Sequence, residues 1–209
     1  MNAPAISNRL RTHSLVAAAT ACLALTACSR GADDRHGIHF PSDSDIAQAL
    51  QVDLDKDPNS AKAREMVKTL GGDQGTLDYK VQKVIYRQGA FEAHYGVSLR
   101  MARSGEESLQ RLYASMIPAD ALKQIPEQTL ASYEKWLADS AASMEKSDPR
   151  QAAALKASLE SLGKCYRQAK ANDRVELMAG LTALISPARD GWYADKLQSP
   201  SAQLHCLPL

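Results

Sequence analysis

The chain has 209 residues, with 25 basic side chains against 24 acidic ones and only 5% aromatic residues. That near-neutral balance removes the basic surface a nucleic-acid partner would demand, and the length allows one domain with a proper core. Few aromatics beside much Ala and Leu lean the composition toward helix.

Met1 to His13 carries Arg9 and Arg11 and no acidic residue. Positive charge of this kind holds an N-terminus on the cytoplasmic side of a membrane. Leu15 to Leu25 is an unbroken, weakly apolar run, about half the roughly 20 residues a permanent span needs. The run therefore reads as the apolar centre of an export signal and not as an anchor. It leads directly into Leu25-Thr26-Ala27-Cys28, which resembles the lipobox of bacterial lipoproteins.

The resemblance implies cleavage after Ala27 and a diacylglycerol thioether on Cys28. Residue Ser29, in place of the Asp that favours inner-membrane retention, implies the periplasmic side of the outer membrane. Three segments are expected: 1–27 as signal peptide, 28–41 as lipidated Cys and flexible tether, and 42–209 as one periplasmic α-rich domain. Loss of Arg9 and Arg11 brings the mature chain near minus one.

Within the mature chain, Ser29 to Pro41 is polar and aperiodic, as a tether should be. His36 and His39 stand three apart there, but Gly37 and Pro41 oppose the helix that would make them chelate a metal. Ser42 to Leu50 predicts a short helix. Asp53-Leu54-Asp55-Lys56-Asp57 opens like a calcium loop, yet Pro58 and Arg64 stand where Gly and Glu are required. Asp57 is instead expected to cap a helix from Pro58 to Leu70, closed by Gly71-Gly72.

The clearest strand comes next. Phe91, Ala93, Tyr95, Val97, Leu99 and Met101 alternate with Glu92, His94, Gly96, Ser98 and Arg100, giving one buried face and one wet one. Tyr79 to Arg87 pairs with it across Gln88-Gly89-Ala90 as a β-hairpin. Ser104 with Glu107 predicts a capped helix reaching Met116. A helix starting at Pro126 carries Leu130, Tyr133, Leu137 and Met144 on one stripe. Asp148-Pro149 restarts the chain, and Leu155, Leu159, Leu162 and Tyr166 form the stripe of an antiparallel partner. Asp173 with Glu176 predicts a further, central helix bearing Val175, Leu177, Met178, Leu181, Leu184 and Ile185. Gly191-Trp192-Tyr193 reads as a turn. The expected fold is α+β and predominantly α-helical, with helical hairpins packed on a small antiparallel β-hairpin.

Cys22 leaves with the signal and Cys28 takes lipid, so Cys165 and Cys206 remain in an oxidising compartment. One disulfide is the economical reading; two unpaired thiols are the alternative. His205 beside Cys206 makes no recognised zinc spacing. Ser-x-x-Lys occurs at Ser132, Ser143 and Ser161 without the Ser-Asp-Asn or Lys-Thr-Gly elements that make it catalytic, and His94 near Glu92 lacks a nucleophile. No catalytic residues, metal or cofactor are expected.

A lipobox, a tether and a small helix-rich domain resemble the layout of periplasmic immunity lipoproteins, which bind and block antibacterial effectors. An envelope assembly or secretion accessory lipoprotein of the pilotin type shares that build, and a peptidoglycan-acting enzyme is a third class. The expected partners are the membrane, through the Cys28 lipid, and another protein, either a toxin or a secretion or envelope component. The residues expected to meet that protein are His94, Arg100, Trp192 and Tyr193.

Overall fold

In the computed structural model, which describes residues 38–208, the first helix is set by Ser42. Its hydroxyl accepts from the Asp45 amide while Asp45 accepts from the Ser42 amide, so two orphan N–H groups are satisfied reciprocally. The helix, α1 (Asp43–Lys56), runs one and a half turns beyond the expected Leu50. Asp57 caps the next segment by accepting from Asn59, but Pro58–Ser60 makes only one 3-10 turn before α2 (Ala61–Gly71). The export segment, Cys28 and most of the tether lie outside the described residues.

Among the described residues the fold is α+β, with six helices and a five-stranded antiparallel sheet. β1 (Thr76–Arg87) and β2 (Ala90–Arg100) form the expected hairpin. Gln88 and Gly89 both take positive φ, which gives a two-residue turn whose twist suits the strands. Four helices come after it: α3 (Gly105–Met116), the short α4 (Ala119–Leu122), α5 (Leu130–Met144) and α6 (Pro149–Tyr166). Ser104 caps α3 and Asp148 caps α6, with Pro149 at its first position. Pro126 is not the start of α5: Thr129 caps that helix by accepting from the Ser132 amide. Glu134 pairs with Arg167 and Glu145 with Lys156, so α5 and α6 lie antiparallel.

The expected central helix over Val175 to Ile185 is absent. That segment is β3 (Arg174–Ala188), the longest strand, paired along most of its length with β2. Asp173 accepts from the Lys170 amide in a turn instead of capping a helix, and Asn172 takes positive φ. Gly191-Trp192-Tyr193 likewise opens a strand, β4 (Gly191–Lys196), against the end of β3. β5 (Gln203–Leu204) covers the remaining outer edge of β3 at Met178 and Ala179. The small hairpin expected from the sequence is therefore half of a larger sheet in the order β1-β2-β3-β4.

The apolar side chains buried by the helices join two clusters with those of the sheet. α1 places Ile46, Ala49 and Leu50 over Phe91, Ala93, Tyr95, Ala183 and Ile185. Leu70 of α2, Leu109 and Tyr113 of α3, Leu137 of α5 and Leu162 and Tyr166 of α6 pack together in a second cluster that takes in Leu99, Val175 and Leu177 at one end of the sheet. Each such large side chain gains about 1.5–3 kcal/mol by leaving water. The backbone of α1 comes closest to β1 and β4, the outer strands, and not to the two between them. The sheet thus curls around α1, with its core face concave. Bulges at Val81/Lys83 and at two places opposite β3 supply the bend. Lys196 closes the curl, its ammonium lying 2.8 Å from Asp53 and 3.5 Å from Asp57.

Cys165 and Cys206 form a disulfide, with Cα atoms 5.7 Å apart. It joins the end of α6 to the tail beyond β5. The Tyr166 hydroxyl donates to the Cys206 carbonyl at 2.9 Å, and the His205 amide donates to Leu177 of β3.

Candidate binding face

Period two sends every second side chain of a strand to the opposite face. On β2 the core takes Phe91, Ala93, Tyr95, Val97 and Leu99, so Glu92, His94, Ser98 and Arg100 stand on the convex face. The register adds their neighbours: Ile85 and Leu184 flank Glu92, Lys83 and Thr182 flank His94, and Asp78 and Glu176 flank Ser98. Tyr193 and Asp195 of β4 continue this face beside Ser186 and Leu184. No helix of the described residues contributes a side chain to the apolar clusters from this side.

Three of the four sequence-expected contact residues therefore share one surface: His94, Arg100 and Tyr193. Trp192 does not join them. It pairs with Pro187 on the core side, half-buried, and its ring meets Phe91 edge-on at 5.6 Å between centroids. Tyr193, next in the strand, is 54% exposed.

Two ion networks set the chemistry of the face. At one end Glu92 accepts from Arg87 Nε at 2.8 Å through one carboxylate oxygen and contacts His94 Nε2 at 2.7 Å through the other. The hydrogen bond from Arg87, then that from His94, hold the Glu92 carboxyl below the usual carboxylate range. At the other end a single oxygen of Asp78 receives Arg100 Nη2, at 2.9 Å, and Arg174 Nε. Burial pushes the Asp78 carboxyl up, but hydrogen bonds from Arg174 and Arg100 outweigh it and leave it below its ordinary value. The Tyr193 phenol is raised by the charge of Asp195 and a hydrogen bond with it.

Arg100 and Arg174 are register partners, so like charges face each other across adjacent strands with Asp78 between them. Arg100 is 42% exposed and Asp78 31%, which puts the exchange in the screened surface regime. Asp78→Ala is expected to lower unfolding free energy by about 1 kcal/mol at low ionic strength and by less near 1 M salt, in urea titrations of both chains. Asp78 and Glu92 bind protons less readily folded than unfolded. Their contribution is complete above about pH 5 and fades as pH falls through the carboxylate range, so the difference between wild type and Asp78→Ala should shrink toward pH 3.

Sequence reasoning missed Asp78, Arg174, Leu184 and Asp195. Arg174 and Leu184 were lost with β3, read as helix. The usable signal was the alternation of Val175, Leu177, Leu181, Ala183 and Ile185, with Gly180 inside it at positive φ. The donor set suits contact with a polar macromolecular surface, and no cluster of three metal-ligating side chains exists among the described residues. No protein-family model, curated protein or solved structure matches the chain.

Proposed function

We propose that this protein is an outer-membrane lipoprotein whose periplasmic domain acts by binding another protein, as an inhibitor of the immunity type, and not by turnover. The observation that carries the reading is Leu25-Thr26-Ala27-Cys28 following at once on an apolar run too short to span. The open convex face supports the binding half of it. There His94, Arg100 and Tyr193 lie among Leu184 and Ile85, a mixture of charge, aromatic and aliphatic surface of the kind found at protein contacts. Its arginines are fixed by carboxylates before any partner arrives, which lowers the ordering entropy of association.

An assembly or secretion accessory of the pilotin type is the second reading. An escort needs an apolar groove, and the apolar gap between α1 and the sheet, lined by Leu50, Leu54, Tyr95 and Leu181, is about 160 Å³. That is below the roughly 300 Å³ of the smallest ordinary ligand sites. A wider gap beside α1 and β1, about 490 Å³, has the charged Asp43, Asp78, Lys80 and Arg174 in its lining and is not an apolar groove, so the inhibitor reading is preferred.

A photo-crosslinking residue placed at Ser98 or Tyr193 in living cells should yield one and the same protein adduct, whereas placement at Arg150, exposed on α6, should yield none. An adduct equally strong from Arg150, or no adduct from either face position, would overturn binding through this face.

A further inference from the structure

A stripe of α3 looks away from the core. Glu107, Gln110, Arg111 and Ala114, spaced as helical neighbours, line a cleft of about 610 Å³ whose opposite wall is the Gly72–Gln74 turn after α2. Arg103, in the loop between β2 and α3, enters the same cleft.

Arg103 is not a free surface arm. Its Nη2 donates to the Lys68 carbonyl at the end of α2, at 2.9 Å, which also places its charge at the favourable end of that helix. Its guanidinium lies over Gly72, where an added Cβ would come within 2.9 Å of Nε. Gly72 thus serves two purposes, its φ of +89° and the space for this side chain.

Most of the other described arginines have partners, the exceptions being Arg150 and Arg189, which stand exposed at the surface and do not line this cleft. Arg87, Arg100, Arg167 and Arg174 each meet a carboxylate, and Arg64 donates to two carbonyls. Arg103 and Arg111, which both line this cleft, form no ion pair among the described residues. Burial first, and then Arg111, hold the Arg103 guanidinium below its ordinary value, while the carboxylates of Asp73 and Glu107, which line the same cleft, pull it partly back up. Neither of these carboxylates forms an ion pair with Arg103 or Arg111 among the described residues, so the cleft offsets the two guanidiniums only at longer range and leaves their remaining N–H donors open to a closer anion.

We propose that this cleft is a binding site for an oxyanion, a carboxylate or phosphate group of a ligand, held between the guanidiniums of Arg103 and Arg111 with the Gln74 amide in the adjoining wall. The planar fork of each arginine presents paired N–H donors at the spacing of two oxyanion oxygens. Anchoring Nη2 of Arg103 on Lys68 leaves its remaining donors pre-set for the ligand. The site uses no residue of the export segment or of the convex sheet face, so it stands or falls apart from the lipoprotein reading.

Calorimetric titration of the full-length chain, at constant ionic strength in chloride, with inorganic phosphate in one arm and glutarate in the other, tests it. Saturable binding in at least one arm is expected, and the arm that saturates identifies the group as phosphate or carboxylate. Arg111→Gln, at an exposed helix position that does not endanger folding, should weaken binding at least about tenfold. Arg111→Lys should recover part of the loss by restoring charge without the fork. Arg189→Gln, at an exposed turn after β3, should leave binding unchanged. No saturable binding in either arm, or equal binding by wild type and Arg111→Gln, would overturn the proposal.

Discussion

Replacing Cys165 and Cys206 together by serine is expected to cost about 4 kcal/mol of folding stability. The bridge closes a loop with a sequence separation of 41, and the chain-entropy estimate for a loop of that size is about 4 kcal/mol. More than a crosslink is at stake, because the tail it holds is also a strand. β5 and the residues after it occupy the outer edge of β3 at Leu177, Met178 and Ala179, where the backbone would otherwise offer unpaired groups to a second chain. The Tyr166 hydroxyl, bonded to the Cys206 carbonyl, loses its partner if the tail frays. A buried phenol without a partner adds about 1–3 kcal/mol to the loss.

In thermal unfolding the double variant should melt roughly 10 °C below wild type. Wild type in excess dithiothreitol should behave like the variant, since reduction removes the same bond. A shift under about 1 kcal/mol in urea titrations would mean that the tail is held by its hydrogen bonds alone and that the bridge contributes little.

The parts of the fold legible in the sequence are those in which local chemistry and periodicity agree. Ser42, Ser104 and Asp148 all cap helices, because a short polar side chain before an apolar period has one favourable use. β2 was legible because its two faces differ completely, Phe91 to Leu99 against Glu92 to Arg100. β3 was not. Leu177, Met178, Ala179, Leu181 and Leu184 are strong helix formers, and Asp173 with Glu176 imitates a capping pair. What overrides them is tertiary: β2 offers a full row of backbone partners, and Val175, Leu177, Ala183 and Ile185 find the core only if the segment is extended. Once that segment is a strand, its last residues offer a paired edge, and Gly191-Trp192-Tyr193 becomes part of β4.

The candidate face was half legible for the same reason. His94 and Arg100 could be placed on the wet side of β2 by counting alone. Tyr193 joins them because β4 pairs with β3, and Trp192 leaves because neighbouring residues on a strand point to opposite sides. Asp78 and Arg174, 96 positions apart, meet across β2 through register and not through any sequence neighbourhood. The cleft at Arg103 and Arg111 was illegible in the sequence for a different reason. It depends on Gly72 leaving room above α2, a close approach that no spacing rule announces.

In the proposed scheme the tether decides what such a domain can do. Acyl chains contribute about 0.8 kcal/mol per buried methylene, so two or more hold a protein on a membrane essentially permanently. No helix of the described residues is long and apolar enough to cross a membrane, so in the proposed scheme attachment rests on Cys28. Fractionation of cells producing wild type or Cys28→Ser is the most direct test. Wild type should sediment with the outer membrane and be released only by detergent, whereas Cys28→Ser should leave the membrane fraction entirely. If Cys28→Ser sediments with the membrane as wild type does, the protein is not held by lipid on that residue and the proposed scheme fails.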